Sequence, residues 1–234
     1  MTRNSKQIQA IFDRIAPVYD QMNDWLSLGQ HRIWKQMAVG WSQAHPGDTA
    51  LDLCCGSGDL AGLLARQVGV DGTVYGVDFS AQQLAIAQSR PTPVTLPTAP
   101  ITWIEADVLK LPFSDNTFDC ATMGYGLRNV VDIPGSLQEL HRVLKPGAVA
   151  AILDFHRPHS MLLRQFQQWY LEHLVVPMAE AKGLKQEYAY INPSLERFPE
   201  GQQQVAISRA VGFTSATHYA IAGGMMGVLV IQKS

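Results

Sequence analysis

The chain has 234 residues, of which 47% are hydrophobic and 16% charged, with a formal net charge of −2. That length suits one α/β domain with a sizeable core, and the near-neutral balance offers no global basic field for nucleic acid. No apolar run is long enough to cross a bilayer; the nearest, Tyr219 to Ile231, is short and broken by Gly223, Gly224 and Gly227.

The first residues, Met1 to Lys6, lead into no apolar signal-peptide core. Residues 5 to 40 read as helical, and Pro46-Gly47-Asp48 marks a turn. From Thr49 strand and helix alternate. Ala50 to Leu53 is a strand, Asp59 to about Val68 a helix, Thr73 to Val77 a strand and Ser80 to Ser89 a helix with Ser80 as N-cap. Four prolines make Arg90 to Pro100 a loop. Ile101 to Glu105 and Phe118 to Met123 are the third and fourth strands. Ser136 to Leu144 is a helix ended by Lys145-Pro146-Gly147, and Ala148 to Asp154 is a fully buried fifth strand. This rhythm predicts a parallel sheet with helices on both faces. Ser160 to about Val176 shows a wide apolar stripe at helical spacing, Gln202 to Val211 is a further helix, and Thr214 to Ala220 and Gly227 to Gln232 form a hairpin. The three cysteines, Cys54, Cys55 and Cys120, suit a reducing compartment. Two are adjacent and make neither an ordinary disulfide nor a spaced zinc site, and the histidines form no metal-spaced cluster.

Leu51 to Leu60 carries the most information. It reads as a buried strand, the turn Gly56-Ser57-Gly58 and a helix start, flanked by Asp52 and Asp59. Gly56 to Ala61 also satisfies the dinucleotide pattern G-x-G-x-x-[G/A], so an NAD-binding module is one reading. A helix N-terminus attracts anions, yet two carboxylates there would repel a pyrophosphate. They complement a ligand carrying a sulfonium and an ammonium, and S-adenosyl-L-methionine (SAM) is such a ligand. Asp78, at the end of the second strand, is placed to accept both ribose hydroxyls, and Asp107, after the third, to accept from an adenine amino group. Three acidic strand ends in a row define a binding edge.

With these features the chain resembles a class I SAM-dependent methyltransferase. Tyr19 to Trp34 is similar to the N-terminal signature of the ubiquinone/menaquinone-biosynthesis C-methyltransferase family, Arg142-Val143-Leu144-Lys145-Pro146-Gly147 to its second signature, and Gly126-Leu127-Arg128-Asn129-Val130 to the segment after its fourth strand. The family usually has glycine where Ala148 stands, often glutamate at Asp154 and threonine at Ser57. Arg157-Pro158 and the tail from Tyr188 to Lys233 look like the branch in oxygenic phototrophs, which methylates the ring of 2-phytyl-1,4-naphthoquinone or demethylmenaquinone. The resemblance implies a Rossmann-like fold with a mostly parallel seven-stranded sheet and a C-terminal antiparallel hairpin. It implies one domain, with a helical cap over 1–45, a SAM-binding core over 46–155, a substrate lid over 156–200, and a helix and hairpin over 201–234. SAM contacts then fall on Asp52, Gly56, Ser57, Gly58, Asp59, Asp78, Phe79, Asp107, Val108 and Gly124.

The chemistry this implies is carbon methylation of a prenylated naphthoquinol, with no metal required. The resemblance places Arg128, Asn129 and Tyr19 at the proton step. Arginine keeps its proton in proteins, so oxyanion stabilisation and orientation of a water suit Arg128 better than direct proton abstraction. His31, Asp154 and His156 are alternative bases, although a structural role is the better reading for each histidine alone. The stripe from Met161 to Val176 and the N-terminal helices are placed to line a slot for the prenyl tail, and an exposed remainder, joined by Met225 and Met226, would touch a membrane surface transiently. The expected location is cytoplasmic, peripheral to a thylakoid or plasma membrane face, with oligomerisation left open. Another small aromatic, methylated on oxygen, is the competing substrate. A nucleic-acid substrate is disfavoured by charge and because Gly124-Tyr125-Gly126-Leu127 stands where an Asn/Asp-Pro-Pro-Tyr/Trp tetrapeptide would be needed.

Overall fold

The computed structural model describes residues 5–90 and 97–234; the rest of the proline-rich loop, 91–96, and the first four residues lie outside it. The N-terminal helices are α1 (Ser5–Ile15), α2 (Tyr19–Ser27) and α3 (Gln30–Trp41), with a 3-10 turn at Ala16–Val18. The alternating part runs β1 (Thr49–Leu53), α4 (Asp59–Val68), β2 (Thr73–Asp78), α5 (Ala81–Ser89), β3 (Ile101–Glu105), β4 (Phe118–Gly124), a 3-10 turn at Leu127–Asn129, α6 (Ile133–Val143) and β5 (Leu144–Phe155). Then come α7 (Met161–Tyr170), a π turn (Leu171–Val175), α8 (Val176–Glu180), α9 (Lys185–Ala189), α10 (Ile191–Arg197), α11 (Gly201–Ala210), β6 (Ser215–Ile221) and β7 (Met226–Gln232).

The seven strands are ordered β3-β2-β1-β4-β5-β7-β6. The first five are parallel, and β7 runs antiparallel to both β5 and β6. The chain builds outward from β1 to β3 and then returns to β4 on the other side. That reversal opens a crevice at the carboxyl ends of β1 and β4, where ligands of open α/β sheets bind. Strand side chains alternate between faces. Leu51 and Leu53 enter the cluster with Phe118, Leu137 and Leu140. Ala50 enters the opposite one, with Leu60, Ala61 and Leu64 of α4. Asp52 shares the Ala50 face and is fully buried.

A third apolar cluster joins Ile15 and Met22 to Leu171, Val175, Ala179, Leu184, Tyr188 and Ile191, so α1 and α2 and the segment from the π turn to α10 form a joint roof over the crevice. Polar ties seat α1 on the β2–α5 turn: Gln9 Nε2 donates to Phe79 O at 2.5 Å, and Ser80 Oγ to Asp13 Oδ1 at 2.6 Å. The Ser80 hydroxyl also accepts from Gln83 N–H, the N-cap its sequence position predicts.

Three local expectations are corrected. Helix α6 starts at Ile133 rather than Ser136, because Asp132 caps it by accepting from Gly135 N–H and Pro134 fits its first turn. Lys145-Pro146-Gly147 is no separate stop; the chain passes from α6 directly into β5, whose register against β4 shifts between Phe118 and Cys120. The helix predicted over Ser160–Val176 gives way to a π turn after Tyr170. Pro177, which has no N–H to return to the preceding turn, follows it.

Candidate active site

Two tight strand exits shape the crevice. After β1, Cys54 (φ +51°), Gly56 (+54°) and Gly58 (+89°) turn the chain into α4. Only glycine fits at 58, where a Cβ would lie 2.6 Å from the Trp103 ring. After β4, Tyr125 takes φ +60°, and a Cβ on Gly126 would stand 2.6 Å from Cys54 Cβ. The two exits therefore touch, and both place a side-chain-bearing residue in the left-handed region, a strain typical of binding sites.

The cleft above them encloses about 700 Å³ of empty space, with solvent at its mouth included. Tyr19, Gly56, Asp78, Phe79, Asp107, Val108, Gly124 and Asn129 line it, eight of the residues singled out from the sequence. Asp78 is held by Gly56 N–H on Oδ2 at 2.8 Å and Ser80 N–H on Oδ1 at 2.9 Å. Burial pushes its carboxyl up to about 6 against the pull of those bonds. Asp107 is exposed, with Oδ1 accepting from Leu109 N–H at 2.9 Å. Gln83, which sequence reasoning missed, also lines the cleft, and its buried Oε1 has no partner among the described residues. Two carboxylates and an unfilled amide acceptor suit the ribose hydroxyls and amino groups of SAM.

Asp52, Ser57, Gly58 and Asp59 do not line this cleft. The sequence predicts Asp52 and Asp59 as an acidic rim, but tertiary packing neutralises it. Lys35 Nζ lies 2.6 Å from Asp59 Oδ2, and Arg90 bonds both Asp59 and Asp20. Burial alone would raise the Asp59 carboxyl; the two cations outweigh it and hold it at about 2. Ser57 Oγ donates to Asp20 Oδ1 at 2.6 Å and accepts from Arg90. Asp52 accepts from Thr122 Oγ1 at 2.8 Å, and burial pushes its carboxyl up to about 7. Lys35 and Arg90 lie 24 and 31 positions from Asp59, with no local signal to pair them.

Arg128 lines a smaller chamber next to the cleft, under α1 and α2. Its side chain is 9% exposed, Nε is 3.1 Å from Asp154 Oδ1 without hydrogen-bond alignment, and Nη1 donates to Ser194 Oγ at 2.8 Å. The guanidinium stacks over Phe155, 5.5 Å from its centroid. Asn129 Oδ1 faces Arg128 Nη1 at 3.3 Å, and its Nδ2 donates to Tyr125 O at 3.0 Å. Tyr19, the first residue of α2, lines both spaces, and burial holds its hydroxyl well above the usual range.

Of the alternative bases, Asp154 is 1% exposed behind Arg128, and burial raises its carboxyl against that cation. His31 pairs with Asp24 at 2.8 Å and lines neither the cleft nor the chamber. His156 sits elsewhere, its Nε2 3.1 Å from His218 Nε2, lowered to about 3 by burial and by His218 and Arg157. Among the described residues no group of three or more His, Cys, Asp or Glu is disposed to hold a metal.

A third cavity, enclosing about 1330 Å³ of empty space with solvent at its mouth included, adjoins the chamber, with Asn23, Leu26, Tyr125, Phe155 and Ile191 common to both. Leu28, Trp34, Phe166, Tyr170, Leu171, Met225 and Met226 make its lining mostly apolar, and His31 and Gln167 are among its polar members. The methionine pair thus faces this cavity, and Met226 is buried. Much of the α7 stripe points outward instead: Met161 and Leu162 are each 75% exposed and Phe166 and Trp169 about half, while Leu28 nearby is 87% exposed.

The ubiE/COQ5 methyltransferase family model matches residues 1–233. A 2-phytyl-1,4-naphthoquinone methyltransferase of Trichormus variabilis is 68% identical over 98% of this chain and 100% of its own. The protein of that name from Synechocystis sp. is 57% identical over 97% and 95%, and the chloroplastic 2-phytyl-1,4-β-naphthoquinone methyltransferase of Arabidopsis thaliana 49% over 98% and 88%. Among solved structures, a SAM-dependent methyltransferase from Aquifex aeolicus aligns with a TM-score of 0.66 at 18% identity over 92% of this chain and 98% of its own. A possible histamine N-methyltransferase from Thermotoga maritima aligns at 0.65 and 18% over 97% and 100%; both likenesses speak to the fold. With a family model matched along almost its whole length and relatives of this identity, the chain belongs to the ubiE/COQ5 methyltransferase family, and its methyl donor is S-adenosyl-L-methionine.

Proposed function

We propose that the chain methylates the ring carbon of 2-phytyl-1,4-naphthoquinol, with demethylmenaquinol as the nearest other substrate. The relatives' names supply the substrate class. Within the molecule, the supporting observation is the run of three adjoining cavities. The polar cleft suits the methyl donor, the Arg128 chamber the quinol ring, and the apolar cavity the start of the tail.

When bound, SAM supplies a methyl group on a positively charged sulfur. A quinol carbon becomes nucleophilic when the neighbouring hydroxyl loses its proton, and the ring regains aromaticity by losing the proton of the methylated carbon. The chain's part is to align the ring, exclude water and stabilise the oxyanion. Arg128 places a fixed cation in the chamber, with Asp154 and Ser194 holding the guanidinium's direction. Tyr19 faces it, and Asn129 stands between the chamber and the cleft. His31 lines the tail cavity, where its ring is tied to Asp24, and His156 lies elsewhere, so a water oriented by Arg128 and Asn129 takes the proton.

No helix of the described residues is long and apolar enough to cross a membrane. The outward face of α7 with Leu28 borders the tail cavity, which supports a protein working at the cytoplasmic face of a thylakoid or plasma membrane and drawing its substrate from the lipid. The test is an assay with radiolabelled SAM against demethylated phylloquinol, menaquinol and benzoquinol, with mass analysis of the product. Carbon-methylated naphthoquinol is expected. Protein that binds SAM but methylates neither naphthoquinol overturns the proposal.

A further inference from the structure

Tyr125 is held firmly, yet its hydroxyl has no hydrogen-bond partner among the described residues. It sits just past β4 with φ +60°, a conformation that costs energy for a residue bearing a Cβ. Its N–H donates to Leu153 O at 2.7 Å, and its carbonyl accepts from Asn129 Nδ2 at 3.0 Å. The ring tilts against Phe155, centroids 5.3 Å apart, and the Lys35 ammonium lies 5.6 Å from its centre. The residue is 5% exposed, and the buried hydroxyl has no partner among the described residues. A buried hydroxyl without a bond is costly and calls for an explanation. Tyr125 also lines all three cavities, the cleft, the Arg128 chamber and the apolar cavity. A polar group that is strained, fixed and unpaired at such a junction is prepared for a ligand atom.

We propose that the Tyr125 hydroxyl donates a hydrogen bond to the second oxygen of a 1,4-dihydroxy aromatic ring, the oxygen not held by Arg128, and so selects para-quinols over monophenols. The inference rests on the function proposed above. The two oxygens of such a ring lie at opposite ends. One polar contact leaves the ring free to turn about that contact. A second, from a different part of the chain, fixes the rotation and decides which carbon faces the methyl group. Burial keeps the phenol neutral, so it remains a donor. A site built around such a bond discriminates against analogues lacking the oxygen, because its own polar group is then left unpaired.

The test combines Tyr125→Phe with two substrates, a 2-alkyl-1,4-naphthoquinol and the 3-alkyl-1-naphthol that lacks only the hydroxyl beside the alkyl-bearing carbon. The variant is expected to lose roughly 10- to 100-fold in kcat/KM on the quinol while still binding SAM, with the melting temperature equal or higher. Wild-type protein should lose a similar factor on the monohydroxy compound, and the variant should lose nothing more there. Unchanged turnover of the quinol by Tyr125→Phe overturns the inference, as does an equal loss on both substrates. Wild-type protein that binds SAM but methylates neither compound overturns the functional reading and this inference together.

Discussion

Arg128→Ala probes the point where stability and chemistry meet. The guanidinium is the cation facing buried Asp154, and truncation leaves that carboxylate against a void. Breaking a buried ion pair from one side costs about 3–5 kcal/mol. Asp154 should fall at the lower end, because it keeps bonds from the N–H groups of residue 128 and Phe155. Burial also raises its carboxyl already, so protonation relieves part of the penalty. About 3 kcal/mol corresponds to a fall of roughly 6–12 °C in melting temperature for a chain of this size. Turnover should fall about 10²–10³-fold, the usual loss on removing one preorganised group from a developing oxyanion. SAM affinity should hold, since Arg128 does not line the cofactor cleft. Adding Asp154→Asn removes the stranded charge and should recover much of the stability but none of the turnover. Differential scanning calorimetry, SAM titration and single-turnover assays separate these effects. A folded Arg128→Ala protein with wild-type turnover refutes the role, and so does a double variant that regains activity.

Three further outcomes follow from the carboxyls and the exposed stripe. Asp78, with its carboxyl near 6, is the buried carboxylate proposed to accept from SAM in the cleft. SAM affinity should therefore weaken as pH falls through about 6, while Asp78→Asn binds about 10-fold or more weakly with no such dependence; equal wild-type affinity at about pH 5 and 8 rejects this acceptor. Asp52, raised to about 7 by burial, favours the folded state most when protonated, below its ordinary value. Its contribution is lost as pH rises through about 7, so Asp52→Asn should flatten the fall in melting temperature over that interval, and an unaltered slope contradicts the assignment. Replacing Met161, Leu162 and Trp169 together by serine should reduce sedimentation with neutral-lipid vesicles about 10-fold and leave turnover of a short-tailed substrate unchanged; full vesicle binding would remove α7 as the docking face.

The alternation from Thr49 to Phe155 is legible along the chain because its signals are local. Periodicity marks β1 and α4, Ser80 caps α5, and glycine at 58 reports a turn that a Cβ would obstruct. Asp78 and Asp107 follow from strand ends alone, and the signatures at Tyr19–Trp34 and Arg142–Gly147 point to the family that the whole-chain match shows. The state of a charge is a different matter, since it depends on burial and on partners brought from afar. Asp59 reads as a bare carboxylate until α3 delivers Lys35 and the end of α5 delivers Arg90, while Asp52 goes inward because the pleat assigns it to the α4 face. Likewise, helical spacing groups the apolar residues of α7 without telling which of them meet solvent; docking against α2 decides that, through contacts such as Tyr170 Oη to Leu26 O at 3.1 Å. The unpaired hydroxyl of Tyr125 exists only in the assembled molecule, where three cavities converge on one residue and no group among the described residues bonds to its oxygen.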